Sequence, residues 1–214
     1  MSRSREEIIA CPSCGHESPF TLWESINTVL NPELIEDVKT DKIFEFTCPN
    51  CGEVTQVIYP FLYHMMDKRK MIYFVDEDAV DETVEMVNSL KEVIKDEEIR
   101  IVCNPNYFHE KIQIFEDDRD DRVIEIMKLV MEVSYTESPE YNGEDYNDMI
   151  YVNQEGKQSI LILNDGIIVC GFDASDEIYK QFCEMSEELT ENSDENLIDR
   201  EWALTYLEGL VENQ

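Results

Sequence analysis

The chain is short of glycine, of positive charge and of long apolar runs, and each shortage closes off a class of function. Seven glycines in 214 residues, none of them clustered, leave no glycine-rich loop to cradle a phosphate. No Gly-x-Ser-x-Gly turn is present to raise a serine nucleophile. Only 17 lysines and arginines stand against 49 aspartates and glutamates, a formal charge of −32. Nucleic-acid binding depends on a basic surface that displaces counterions, and the one basic cluster is Lys68-Arg69-Lys70. Direct DNA or RNA binding is therefore disfavoured. No stretch reaches the ~20 apolar residues of a membrane-spanning helix. The first residues carry Glu6 and Glu7 where a signal peptide has its apolar run, so no membrane association is expected.

What is present is enough for a packed core: 43% of the residues are hydrophobic, which argues against wholesale disorder. The length suits one domain or two small ones. Cysteine is the informative residue. Cys11-Pro12-Ser13-Cys14-Gly15 and Cys48-Pro49-Asn50-Cys51-Gly52 are two copies of one pattern. A Cys-x-x-Cys turn aims two sulfurs at a point, the following glycine admits a positive φ, and the proline presets one dihedral. Two such turns supply the four thiolates of a closed tetrahedral zinc site, which leaves no open position for catalysis. Cys11, Cys14, Cys48 and Cys51 are thus the expected metal ligands and zinc the expected ion, with iron in the same cage as the alternative. A thioredoxin-like redox pair would open a helix in a βαβ unit, a context neither copy has. His16 is expected beside the cage rather than in it. Of seven cysteines, Cys103, Cys170 and Cys183 remain and read as small buried hydrophobes. No disulfide framework follows, which fits a reducing cytosol.

Strands are expected at Ile8–Ala10, Ser18–Val29, Ile43–Phe46, Val54–Tyr59 and Lys70–Val75, with a short helix opening at Asn31-Pro32. Between the fourth and fifth of these strands, Tyr59 to Met66 is an aromatic patch, either a small core lid or a recognition surface. Val84, Val87, Leu90 and Ile94 recur at helical spacing over 81–95, with Asp81 as N-cap. Arg100–Cys103 is a strand. Phe108, Ile112 and Phe115 mark one helix, and Asp120-Asp121 caps another carrying Val123, Met127 and Val130. The polar stretch 134–148 is the candidate boundary between residues 1–133 and 149–214. Beyond it come strands at 149–152, 159–163 and 167–172, joined by Glu155-Gly156 and Asp165-Gly166 turns. Helices follow, with stripes Ile178, Phe182, Met185, Leu189 and Trp202, Tyr206, Leu210. The expected fold class is α+β: an antiparallel zinc-ribbon-like sheet with inserted and following helices, then a β-meander with two helices.

The motifs and their order resemble the CpXC domain proteins. The resemblance rests on the two knuckles, Trp23-Glu24-Ser25-Ile26-Asn27, Asn31-Pro32-Glu33-Leu34, Tyr59-Pro60-Phe61-Leu62-Tyr63-His64, Arg100-Ile101-Val102, Glu110 to Phe115, and Asp120 to Glu125. It covers about residues 8–130 and implies a cysteine-ligated metal and a shared fold, but no reaction. The chain departs from the family pattern at Asp118-Arg119, where the family has Gly-Leu, and at His64-Met65-Met66, where it has His-Asp-Met.

Other polar residues could form a site. His64 with Asp67 has the makings of a base and its orienter, and Cys103 with His109 those of a thiol and its base. Arg100, Glu110, Lys111, Asp120, Asp121 and Arg122 read first as caps and surface ion pairs. The sharper alternative is a polar cleft near His64, Arg100 and Asp121 belonging to an enzyme or small-ligand binder. The leading expectation is a zinc-stabilised cytosolic interaction module whose aromatic patch or acidic face docks a basic protein partner.

Overall fold

The computed structural model describes residues 2–139, 141, 143, 145–190 and 195–212, with backbone only at 187–190 and 210–212. The chain forms two compact units, Met1–Pro105 and Asn106–Gln214.

In the first unit, strand β1 (Arg3–Ala10) pairs antiparallel with β2 (Glu17–Asn27). After β2 come a 3-10 turn over 32–34 and the short helix α1 (Ile35–Lys39). A second hairpin follows, β3 (Glu45–Thr47) and β4 (Val54–Gln56). The chain then rejoins the main sheet as β5 (Phe61–Met65) and β6 (Lys70–Phe74). Helix α2 (Val80–Leu90) crosses to β7 (Glu98–Val102). The five-stranded order is β1-β2-β5-β6-β7. The expected antiparallel sheet is corrected here. β2–β5 and β6–β7 are parallel pairs, because segment 28–60 and helix α2 act as crossovers, which parallel strands require.

Sheet register explains the core. Ile26 pairs with Tyr63, Tyr63 with Ile72, and Ile72 with Arg100, a row in which each side chain is buried. On the other face, Ile99 and Ile101 of β7 meet Val87 and Val84 of α2, and Ile94 packs there from beyond the helix end. The aromatic stretch is core and not surface. Tyr59, Phe61, Tyr63 and Met65 are all buried, and Phe44 sits edge-on to Tyr59 and Phe61 at 5.1 and 5.6 Å. Each such ring contributes roughly 1.5–3 kcal/mol by leaving water. Asp81 is not the cap of α2. A 3-10 turn over 77–79 leads into the helix, and Asp81 and Glu82 lie in its first turn, where acids suit the helix dipole.

In the second unit, α3 (Pro105–Glu116) opens on a proline and buries Phe108, Ile112 and Phe115. Helix α4 (Asp121–Thr136) is capped by Asp120, whose carboxylate accepts from the Arg122 amide at 2.9 Å. Strands β8 (Asp148–Gln154), β9 (Lys157–Asn164) and β10 (Ile167–Asp173) form an antiparallel meander. Both of its turns have consecutive positive φ, at Glu155-Gly156 and Asp165-Gly166, the type I′ geometry that matches strand twist. Helices α5 (Asp176–Thr190) and α6 (Arg200–Glu212) complete the unit. Ile126 and Leu129 of α4 pack with Ile198, Trp202 and Ala203. That packing ties α4 to the C-terminal elements, and the compact units divide at Pro105. Two expected stripe residues, Val130 and Met185, are exposed, and Leu189 and Leu210 lie outside the described side chains.

Candidate metal centre

Each knuckle is the tip of a hairpin. The first joins β1 to β2 and the second joins β3 to β4. Their backbones repeat the same bonds. Gly15 and Gly52 donate to the carbonyls of Cys11 and Cys48, both at 2.9 Å. The Cys11 amide donates to the His16 carbonyl at 2.9 Å, and the Cys48 amide to the Glu53 carbonyl at 2.8 Å. Gly15 and Gly52 hold φ of 70° and 75°, the left-handed region that a Cβ opposes.

The two tips bring all four sulfurs within 4.8 Å of one another. Cys11–Cys51 and Cys14–Cys48 are each 3.7 Å apart. Sulfurs about 2.3 Å from a central ion stand roughly 3.8 Å apart at tetrahedral angles, so the donor set and spacing fit a four-thiolate metal site. Among the described residues this is the one cluster of its kind. Cys11 and Cys48 are buried on a pad of Phe46, Phe20, Ile9 and Val57, whereas Cys14 and Cys51 face solvent. The Asn50 amide donates to Cys14 Sγ at 3.6 Å. That bond, and then the His16 backbone, pull the Cys14 thiol down to about 6. His16 is exposed and contributes backbone alone to this turn.

The remaining candidates have other settings. His64 Nδ1 lies 3.2 Å from the Asn27 side-chain nitrogen. Asn27 Oδ1 already accepts from the Val29 and Leu30 amides, so its NH2 faces the ring and Nδ1 is the acceptor. The proton is then on Nε2, 3.3 Å from Glu97 Oε2. Nε2 and Glu97 Oε2 are both buried and face each other without forming a hydrogen bond. Asp67 meets Thr28 Oγ1 instead, at 3.3 Å. Arg100 donates to the Ile99 carbonyl and to Glu98. Cys103 is exposed, one residue past the end of β7, and Cys170 and Cys183 are half-buried; the expectation of buried hydrophobes is corrected for all three. His64, Arg100 and Cys103 belong to the first unit, and Asp121 and His109 to the second.

Five acidic and basic residues of α3 and α4 are not surface pairs. Glu110, Lys111, Asp121, Glu125 and Lys128 are all buried. Lys111 Nζ reaches Asp121 at 2.8 Å and the Ile198 carbonyl at 2.7 Å. Lys128 Nζ reaches Glu110 at 2.7 Å and Glu125 at 3.0 Å. Glu110 also accepts from the Tyr151 amide on β8. Burial works against the Lys128 ammonium, but the Glu110 and Glu125 carboxylates outweigh it and keep its pKa raised. Arg119, equally buried, donates to the Ala174 carbonyl at 2.6 Å and lies over the rings of Tyr151 and Tyr179. Sequence reasoning named Glu110, Lys111 and Asp121 but missed Glu125, Lys128 and Arg119. Asp121, Glu125 and Lys128 follow at i, i+4 and i+7, one face of a helix, and that spacing was the available signal.

Two knuckles at hairpin tips converging on one four-sulfur point define a cysteine-cage protein. The CpXC protein family model matches residues 9–128, and the chain belongs to that family. No curated protein and no solved structure matched the chain. No helix among the described residues is long and apolar enough to cross a membrane.

Proposed function

We propose that this chain is a zinc-stabilised cytosolic protein whose knuckle pair is structural, forming a zinc-ribbon-like element that supports binding of a basic protein partner. The observation that carries the metal reading is the convergence of Cys11, Cys14, Cys48 and Cys51 within 4.8 Å. Four thiolates complete a tetrahedron and leave the ion no place for substrate. When bound, the ion supplies cross-linking between two hairpins that share only a small apolar pad. The partner reading rests on the formal charge of −32, which attracts cationic surfaces and repels nucleic acid. The aromatic stretch 59–66 takes no part, since its rings are core.

The test of the metal reading is Cys48→Ser. The variant is expected to lose its zinc and to melt far below the wild type, because structural zinc contributes on the order of 10 kcal/mol in knuckle-type sites. A variant that keeps both would overturn the structural-zinc reading. An iron-loaded cage would declare itself by visible charge-transfer absorption in the wild type.

A further inference from the structure

Burial divides the four cage sulfurs two and two. In each knuckle the first cysteine is buried and the second is exposed: Cys11 and Cys48 lie on the apolar pad, and Cys14 and Cys51 face solvent. The pairs at 3.7 Å cross between the knuckles. Exposed Cys51 stands against buried Cys11, and exposed Cys14 against buried Cys48. Each sulfur that a solute can reach therefore has a second sulfur behind it, on the other hairpin. A metal-held sulfur is already a thiolate, and the thiolate is the form that attacks an oxidant.

We propose that the cage is a peroxide-sensitive modification site, in which each exposed cysteine is oxidised and the buried cysteine of the opposite knuckle closes a disulfide with it. In the first step the Cys51 thiolate attacks hydrogen peroxide. An S–O bond forms, the O–O bond breaks, hydroxide leaves, and Cys51 becomes a sulfenic acid. The Cys11 thiolate then attacks that sulfur. The S–O bond breaks, the S–S bond forms, and a second hydroxide leaves. Two electrons pass from the sulfur pair to one peroxide. The same steps at Cys14 and Cys48 consume a second peroxide, and the cage then has no thiolate left to hold an ion. The sulfurs of each pair close from 3.7 Å to about 2.05 Å, so the two hairpin tips stay joined once the ion has gone. Exchange with a small thiol reverses the change. The inference rests on the metal reading above and adds a regulation of that same site.

The test uses the purified full chain, with its zinc content measured before hydrogen peroxide is added. Zinc release is then followed with a chromogenic chelator, and disulfides are mapped by mass spectrometry after the remaining thiols are blocked. Trypsin leaves Cys11 and Cys14 in peptide 6–39 and Cys48 and Cys51 in peptide 43–68. Bonds between knuckles join these peptides, and bonds within a knuckle leave them apart. Cys103, exposed outside the cage, is the internal reference. The expected result is a joined pair of peptides in which Cys11 is bonded to Cys51 and Cys14 to Cys48. About one zinc is released per two peroxides consumed, the cage is oxidised ahead of Cys103, and zinc binding returns after dithiothreitol. Separate peptides, each with its own disulfide, would overturn the pairing between knuckles. Cage oxidation no faster than that of Cys103, or zinc retained after Cys103 is oxidised, would overturn the switch. A chain without zinc before peroxide is added would overturn the metal reading and the switch with it, whereas a zinc-loaded chain that fails the later steps overturns the switch alone.

Discussion

Gly15 and Gly52 show how much a single residue decides in the metal centre. Both hold a positive φ, and a Cβ built on either meets nothing within 4 Å. The cost of a side chain there is conformational alone, about 1 kcal/mol. Gly52→Ala is therefore expected to lower the melting temperature by a few degrees while keeping the metal, as read by calorimetry and metal analysis together. The thiolates make a second residue-scale prediction. Protons compete with a bound ion for its thiolates, so acid weakens a four-thiolate cage. Metal release, followed with a chromogenic chelator, should accordingly rise as pH falls; retention unchanged down to pH ~4 would contradict thiolate ligation. The convergence of the four cysteines was legible because ligand chemistry fixes their spacing. The burial of Tyr63 and the exposure of Cys103 were not, since both depend on which side of a strand, or how far past its end, a residue falls.

Among the elements, α3 and α4 carry the least expected chemistry. Five ionisable side chains are buried along their contact, and every described contact of Lys128 Nζ is to a carboxylate or to the Tyr107 ring. Removing one member of a buried pair strands its partner's charge. Lys128→Ala is expected to cost about 3–5 kcal/mol, measured by denaturant unfolding, whereas Arg200→Ala, which breaks the exposed pair with Glu132, should cost under about 1 kcal/mol. Equal costs would show that the network is not the keystone of this unit. Strand and helix existence was largely legible from periodicity and turn residues. Glu155-Gly156 and Asp165-Gly166 placed both hairpin turns correctly. The parallel pairings were not legible, because hydrophobic alternation says which face of a strand is buried and nothing about its neighbour. Arg119 illustrates the same limit. Its partners Ala174, Tyr151 and Tyr179 lie far along the chain, and no local pattern announces them.

At the scale of the whole molecule, the two units have separate means of support. The first contains the cysteine cage. The second has its own apolar cluster around Trp202 and its own ion network. Stripping the metal with a strong chelator should therefore raise amide exchange at residues 11–16 and 48–53 and leave β8–β10 protected. Added salt should raise the melting temperature, since an excess of acids repels itself. Family membership was legible because the motifs fall in a fixed order over residues 9–128. The packing of α4 against Trp202 and Ala203, roughly 75 residues later, was not, because no local pattern announces it. The measurement that bears most directly on the account is the metal content of the purified chain, prepared without added metal and weighed against protein by mass spectrometry. The account predicts close to one zinc per wild-type chain and none in Cys48→Ser. Iron in its place, or a folded wild-type chain with no metal at all, would contradict it.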